Sequence, residues 1–172
     1  NGCDPSQQLT TVHVDGTYEL SFDIMPKGTI NAWTNIIHMG NSDADRLPAM
    51  WFYANTYRLH IRAGTEDSYN NGCDPSQQLV ANKLNHVKMQ VTWTTLTIWY
   101  DGKQVSQCSI SGHRTGDFKF YASNPWYTAA NADIKHIEYH TSSTAGTPFP
   151  TTTPTAFPTP SPTPYPTTTP TA

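Results

Sequence analysis

Tyr18-Glu-Leu-Ser-Phe-Asp-Ile24 sets large apolar side chains against Glu19, Ser21 and Asp23 at every second position. In an extended backbone successive side chains leave on opposite faces, so a period of two describes a strand with one buried face. Related patterns recur at 35–39, 49–53, 57–62, 87–93, 96–100, 103–106, 118–121 and 134–139. Leu59 and Ile61 alternate with His60 and Arg62, while Val87, Met89, Val91 and Trp93 share a phase. Between Ile134 and Ile137 the apolar phase slips, as the extra residue of a bulge makes it do. Asp15-Gly16 and Asp101-Gly102 are tight-turn pairs, the second standing between two strands as a hairpin signal. No segment keeps a 3.6-residue apolar period for three turns. The chain therefore reads as all-β, and many short strands point to a sandwich.

A different composition takes over near the end. Residues 147–172, TPFPTTTPTAFPTPSPTPYPTTTPTA, hold nine of the fourteen prolines and no charged residue. Proline fixes φ near −65° and biases its predecessor to extended geometry, so such a run is expected as a polyproline II rod of roughly 80 Å. Phe149-Pro150, Phe157-Pro158 and Tyr165-Pro166 recur every eight residues, which makes these rings candidate assembly anchors. The hydroxyls of Thr147, Thr151, Thr152, Thr153, Thr155, Thr159, Ser161, Thr163, Thr167, Thr168, Thr169 and Thr171 are candidate O-glycosylation sites. Candidate hydroxyprolines are Pro150, Pro154, Pro158, Pro160, Pro162, Pro164, Pro166 and Pro170. The expected division is a sandwich over 1–140 and a tail over 141–172. A mucin-like spacer is the plainer reading of the same composition.

All charged residues precede the tail, and the net charge is −3. No basic stripe suits nucleic acid, and no apolar run approaches membrane-spanning length. A start at Asn1 suggests a mature product or a piece of something longer. Three cysteines, Cys3, Cys73 and Cys108, beside such a tail suggest an oxidising, extracellular setting, with one thiol free or linked to another chain. The nonamer NGCDPSQQL occurs at residues 1–9 and again at 71–79. Either the segment is duplicated or one copy is a misassigned stretch; the second copy fits its place between two strands better.

Asn35-Ile-Ile-His-Met-Gly, Asp45-Arg-Leu-Pro-Ala-Met-Trp-Phe, Tyr57-Arg-Leu-His-Ile-Arg and Leu96-Thr-Ile-Trp-Tyr-Asp-Gly-Lys occur in that order. Together they resemble the concanavalin A-like sandwich, specifically its laminin G-like branch, over about residues 10–140. The resemblance implies an antiparallel jelly roll of two sheets with first and last strands adjacent. It also implies one disulfide, Cys73–Cys108, with Cys3 left free or intermolecular and Cys3–Cys108 as the rival pairing. The tail is similar to hydroxyproline-rich wall and appendage glycoproteins of algae and other protists. No activity follows, because that sandwich hosts lectins, glycanases and adhesion modules alike.

Glycoside cleavage needs two carboxylates flanking the bond. Glu19, Glu66 and Glu138 are the only glutamates and form no such run, so the chain is not expected to be an enzyme. Its histidines show no zinc spacing; His60 and His86 read as exposed positions on polar strand faces. The loop Asn41-Ser-Asp-Ala-Asp-Arg46 could take calcium through Asp43 and Asp45, or be a turn with Asp45 paired to Arg46 or another cation. Trp33, Trp126 and Tyr127 lie in loop-like segments and are candidate glycan contacts, whereas Trp51, Trp93 and Trp99 are expected in the core. The reading that unites these features is a structural subunit of an extracellular fibre or cell-surface appendage, its partners being copies of itself and covalent O-glycans. A carbohydrate-binding module with its linker, and a laminin G-type adhesion module, are the alternatives.

Overall fold

A computed structural model describes residues 7–141; the tail, with every modification site and anchor expected on it, lies outside the described residues, as does Cys3. Eleven strands form two facing sheets among those residues. They are β1 (Gln7–Asp15), β2 (Tyr18–Pro26), β3 (Thr34–Met39), β4 (Ala49–Phe52), β5 (Leu59–Arg62), β6 (Asn85–Val91), β7 (Thr95–Tyr100), β8 (Lys103–Ser109), β9 (Thr115–Ala122), β10 (Thr128–Ala129) and β11 (Ala132–Thr141). One sheet runs β1-β9-β3-β4-β5, with the short β10 parallel to β3; the other runs β11-β2-β6-β7-β8. All other pairings are antiparallel. No helix among the described residues is long and apolar enough to cross a membrane.

The period of two becomes the core. Leu20, Phe22 and Ile24 of β2, Val87, Met89 and Val91 of β6, and Leu96, Ile98 and Tyr100 of β7 are buried. Ile37, Met39, Met50, Phe52, Leu59, Ile61 and Phe120 of the opposing sheet belong to the same apolar cluster. Large rings and branched chains inside, removed from water on both inner faces, supply the main drive to fold.

Several expectations change in detail. The Asp101-Gly102 turn is a hairpin between β7 and β8, with both residues at positive φ (48° and 78°), as a two-residue type I′ turn requires. Asp15-Gly16 is not one: β1 pairs with β9 and β2 with β6 and β11, so this turn carries the chain from one sheet to the other. Most of β1 escaped the pattern because Gln7-Gln8-Leu9-Thr10-Thr11 offers no apolar alternation. First and last strands are not paired; β1 and β11 are edge strands of opposite sheets. The bulge in β11 is present, between Lys135 and Glu138.

Two tryptophans leave the core. Trp93 lies past the end of β6, 65% exposed and edge-on to His113. Trp99 points away from Ile98 and Tyr100, is half-buried, and carries the Lys88 ammonium over its ring at 5.6 Å. Strand phase explains both: Trp93 follows a strand that ends at Val91, and Trp99 sits one residue out of register with the buried set. Cys73 and Cys108 form a disulfide with a Cα–Cα distance of 6.0 Å, joining the segment after β5 to β8 across one edge of the sandwich.

Candidate functional site

The outer face of the first sheet is unusually aromatic, and local sequence explains why. In β4 and β5 the inward residues are Met50, Phe52, Leu59 and Ile61, which turns Trp51 and His60 outward. These two are direct cross-strand partners, with ring centroids 5.7 Å apart. The loop before β3 brings Trp33 to within 4.5 Å of the Tyr53 ring and 4.8 Å of His60. On the other side Tyr127 meets Trp51 edge-on at 5.6 Å, and Trp126 lies between His38 and Tyr121. Arg46 lies over Trp51 at 5.0 Å and over Tyr69 at 4.9 Å. Trp33, Arg46, Trp51, His60 and Tyr127 line an open groove of about 330 Å³.

Two polar hubs hold this face. Asp74 is the first. One of its oxygens accepts from the Ile61 amide (3.0 Å) and Arg62 Nη1 (2.8 Å), and the other from His60 Nδ1 (3.0 Å) and the Tyr53 hydroxyl. Burial opposes ionisation of this carboxyl, yet the donors from His60, Tyr53, Ile61 and Arg62 outweigh it and hold the group well below the usual carboxylate range. With Nδ1–H committed to Asp74, the His60 ring keeps Nε2 as an acceptor. Burial and the Asp74 charge together push the Tyr53 phenol up.

Asn124 is the second hub. Its backbone amide donates to Asn35 Oδ1 (2.8 Å), and its own Oδ1 accepts from the Trp126 and Tyr127 amides (3.1 and 2.9 Å). Its Nδ2 donates to His38 Nδ1 (2.9 Å), while His38 Nε2 donates to the Ser42 carbonyl (3.1 Å). Asn35 Nδ2 in turn donates to the Ile37 and Met50 carbonyls, across the bulge between Asn35 and Ile37. One amide side chain thus fixes the loop that presents Trp126 and Tyr127. Asn124→Ala should lose about 2–4 kcal/mol, since His38 and two amides are left unpaired. Urea unfolding would measure the loss, and red-shifted tryptophan emission would report the freed loop.

The structure gathers two of the three expected glycan-contact rings, Trp33 and Tyr127, into one groove and sets Trp126 beside it. Trp51 is a correction: it is buried, as expected, but under the outer face rather than between the sheets. Its indole Nε1–H has no hydrogen-bond partner among the described residues. His60 is another, because loops cover its face and its side chain is only 12% exposed. His86 does stand on the outer face of the second sheet, where Asp23 bridges it and His136 at 2.9 and 2.8 Å. In the loop at 41–46, Asp45 takes Arg114 on one oxygen (2.6 Å) and the Asn41 amide and Ser42 hydroxyl on the other. Asp43 faces Arg46 at 3.8 Å. A calcium ion bound there would have to displace Arg114, and among the described residues no three His, Cys, Asp or Glu side chains gather to hold a metal. Glu19 pairs with Lys88 at 2.7 Å on the second sheet, whereas the groove is built on the first.

No family model matches the sequence, and no curated protein matches it. Among solved structures the chain is similar to a native heptameric SAP-like pentraxin from Limulus polyphemus. The TM-score is 0.54 at 9% identity, covering 80% of this chain and 73% of that one. It is also similar to a Trypanosoma rangeli sialidase in complex with 2,3-difluorosialic acid, with a TM-score of 0.56 at 12% identity. That match covers 72% of this chain but only 20% of the sialidase. At such identities the likeness is one of fold: an all-β sandwich of two antiparallel sheets.

Proposed function

We propose that the chain is a structural subunit of an extracellular glycoprotein fibre or cell-surface appendage, in which the aromatic groove of one sandwich grips the proline-rich tail of another copy. The observation that supports this most is the lining of the groove: rings from Trp33, Trp51, His60 and Tyr127 beside Arg46, with no carboxylate among them. A polyproline II segment makes no internal hydrogen bonds and is recognised by aromatic-lined grooves that pack its rings and donate to its carbonyls. His60 Nε2 can accept from a threonine hydroxyl. Repeating Phe-Pro and Tyr-Pro pairs supply the matching ligand in the same chain. O-glycans on the tail would sheathe whatever length of rod is not gripped, and the Cys73–Cys108 bridge suits an oxidising exterior.

A second reading, a carbohydrate-binding module, is favoured by Trp33 and Trp126, whose surfaces are 40% and 41% exposed and free to stack on a pyranose ring. Against it, the Asp74 carboxylate beside these rings is already committed to four donors. The groove performs no bond-breaking in either reading. Sedimentation velocity and electron microscopy of the glycosylated chain separate the two. Filaments or large oligomers are expected, and Trp33→Ala with Tyr127→Ala should return single chains. A dispersed wild-type chain that binds a polysaccharide through those same residues would replace the fibre reading with the second one.

A further inference from the structure

The seat occupied by residues 71–79 is read in detail by its surroundings. Asn71 Nδ2 donates to Thr65 Oγ1 (2.7 Å), and its carbonyl accepts from the Ala63 amide (2.8 Å). Gly72 runs so close to β5 that an added Cβ would lie 2.1 Å from the Ile61 carbonyl oxygen, so only glycine fits. Cys73 is bonded to Cys108, and Asp74 holds the four donors described above. The Pro75 carbonyl accepts from Arg58 Nε (3.0 Å), and Gln78 Oε1 accepts from the Tyr57 amide (3.1 Å). Leu79 donates its amide to the Tyr57 carbonyl and buries its side chain in the core cluster. Six of the nine side-chain positions are thereby specified, Pro75 is buried, and Ser76 and Gln77 face solvent.

Residues 1–9 carry the same nine side chains in the same order. In this copy Leu9 sits in edge strand β1 and is 39% exposed, in contrast to buried Leu79. Cys3 has no fourth cysteine to pair with inside the chain, because Cys73 and Cys108 are bonded to each other. We propose that residues 1–9 of one copy exchange into the seat of residues 71–79 in a second copy, linking the two through a Cys3–Cys108 disulfide.

The chemistry balances without an external oxidant. The Cys3 thiolate attacks Cys108 Sγ of the neighbour's disulfide, the new S–S bond forms, and Cys73 leaves as a thiolate that takes up the proton Cys3 gave away. One disulfide replaces another and one set of seat contacts replaces its duplicate, so the exchange costs the pairing of Gln7 and Gln8 with Ala122 and Tyr121 and the entropy of association. Exchange of identical elements between copies is a low-cost route to assembly. A neighbour already held nearby supplies an effective concentration in the millimolar range. The seat adjoins the aromatic groove through Asp74, which holds Tyr53 and His60, but the mixed disulfide is read covalently and is scored separately from tail binding.

Mixing ¹⁵N-labelled and unlabelled full-length chains in a glutathione redox buffer tests it, read by mass spectrometry of non-reduced digests. Mixed-isotope Cys3–Cys108 peptides are expected. Asp4→Ala should lower their yield at least tenfold, because Asp4 must take over the four donors of Asp74, while Ser6→Ala should leave it unchanged. Neither variant touches the internal copy, so folding of the domain is preserved. Absence of the mixed peptide, Cys3–Cys3 links alone, or a yield indifferent to Asp4→Ala would each overturn the exchange.

Discussion

Asp74→Ala should lower the unfolding free energy by about 3–5 kcal/mol, the range seen when one member of a buried ion pair is removed and its partners stay behind. Arg62, His60, Tyr53 and the Ile61 amide all lose their acceptor at once. The Arg62, His60 and Asp74 side chains are only 12–13% exposed, so water replaces little of what is lost. Asp74→Asn keeps the shape but turns an N–H₂ toward groups that are themselves donors, and it should recover less than half of the loss. Acid gives an independent check. An unfolded carboxyl takes its proton near pH 3.9, whereas the folded one resists until well below that. Below about pH 4 the unfolded state therefore binds more protons and stability falls. Urea midpoints at pH 7 and pH 3 should move apart in the wild-type chain and less so in Asp74→Asn. Because Trp33 rests on Tyr53 and His60, the same variants should deform the groove and abolish whatever it binds.

Period-two alternation made the inner faces legible and left the outer ones obscure, for a physical reason. Alternation reports which residues avoid water between the sheets, and Leu20, Phe22 and Ile24 satisfy it cleanly. It is silent in Ala49-Met50-Trp51-Phe52, where every side chain is apolar and nothing tells Trp51 from its neighbours. Alternation puts His60 on the face opposite Leu59 and Ile61, and the strand keeps it there. What strand phase does not contain is the roof over that face: Trp33, Tyr127, Arg46 and the 71–79 segment arrive from connecting loops, outside any strand's alternation. Asp74 illustrates the gap. Its four partners lie up to twenty-one residues away, and no local pattern marks an Asp-Pro pair as the hub of an ion-pair network. Loop aromatics are a better guide, since Trp33 and Tyr127 line one groove, although the β9–β10 loop that delivers Tyr127 depends on an Asn124–Asn35 contact between residues far apart in sequence.

The second large effect comes from His38, and its sign is opposite to that of a histidine gaining a carboxylate. The ring is fully buried, with Trp51 edge-on at 5.9 Å and Trp126 at 5.1 Å. Burial, only partly countered by the Ser42 and Asp45 carbonyls and the Asp43 carboxylate, and reinforced by Arg46, pushes its pKa down to about 4. The hydrogen bonds agree: Nδ1 accepts from Asn124 and is the only site a second proton could take, so charging the ring breaks the contact that anchors the Trp126–Tyr127 loop. In the unfolded chain the same imidazole is protonated near pH 6.5. Between pH 6.5 and 4 the unfolded state holds the extra proton, so stability declines with falling pH by up to about 3 kcal/mol. His38→Gln can still donate to Ser42 and accept from Asn124 but does not titrate. It should be less stable than wild type at pH 7 and show a flatter profile across that window, and equal slopes in the two chains would refute the assignment. That interval lies above the one in which Asp74 acts, so the two titrations can be resolved in one series of urea melts, and loosening of the loop that carries Tyr127 makes ligand release on mild acidification the expected functional consequence.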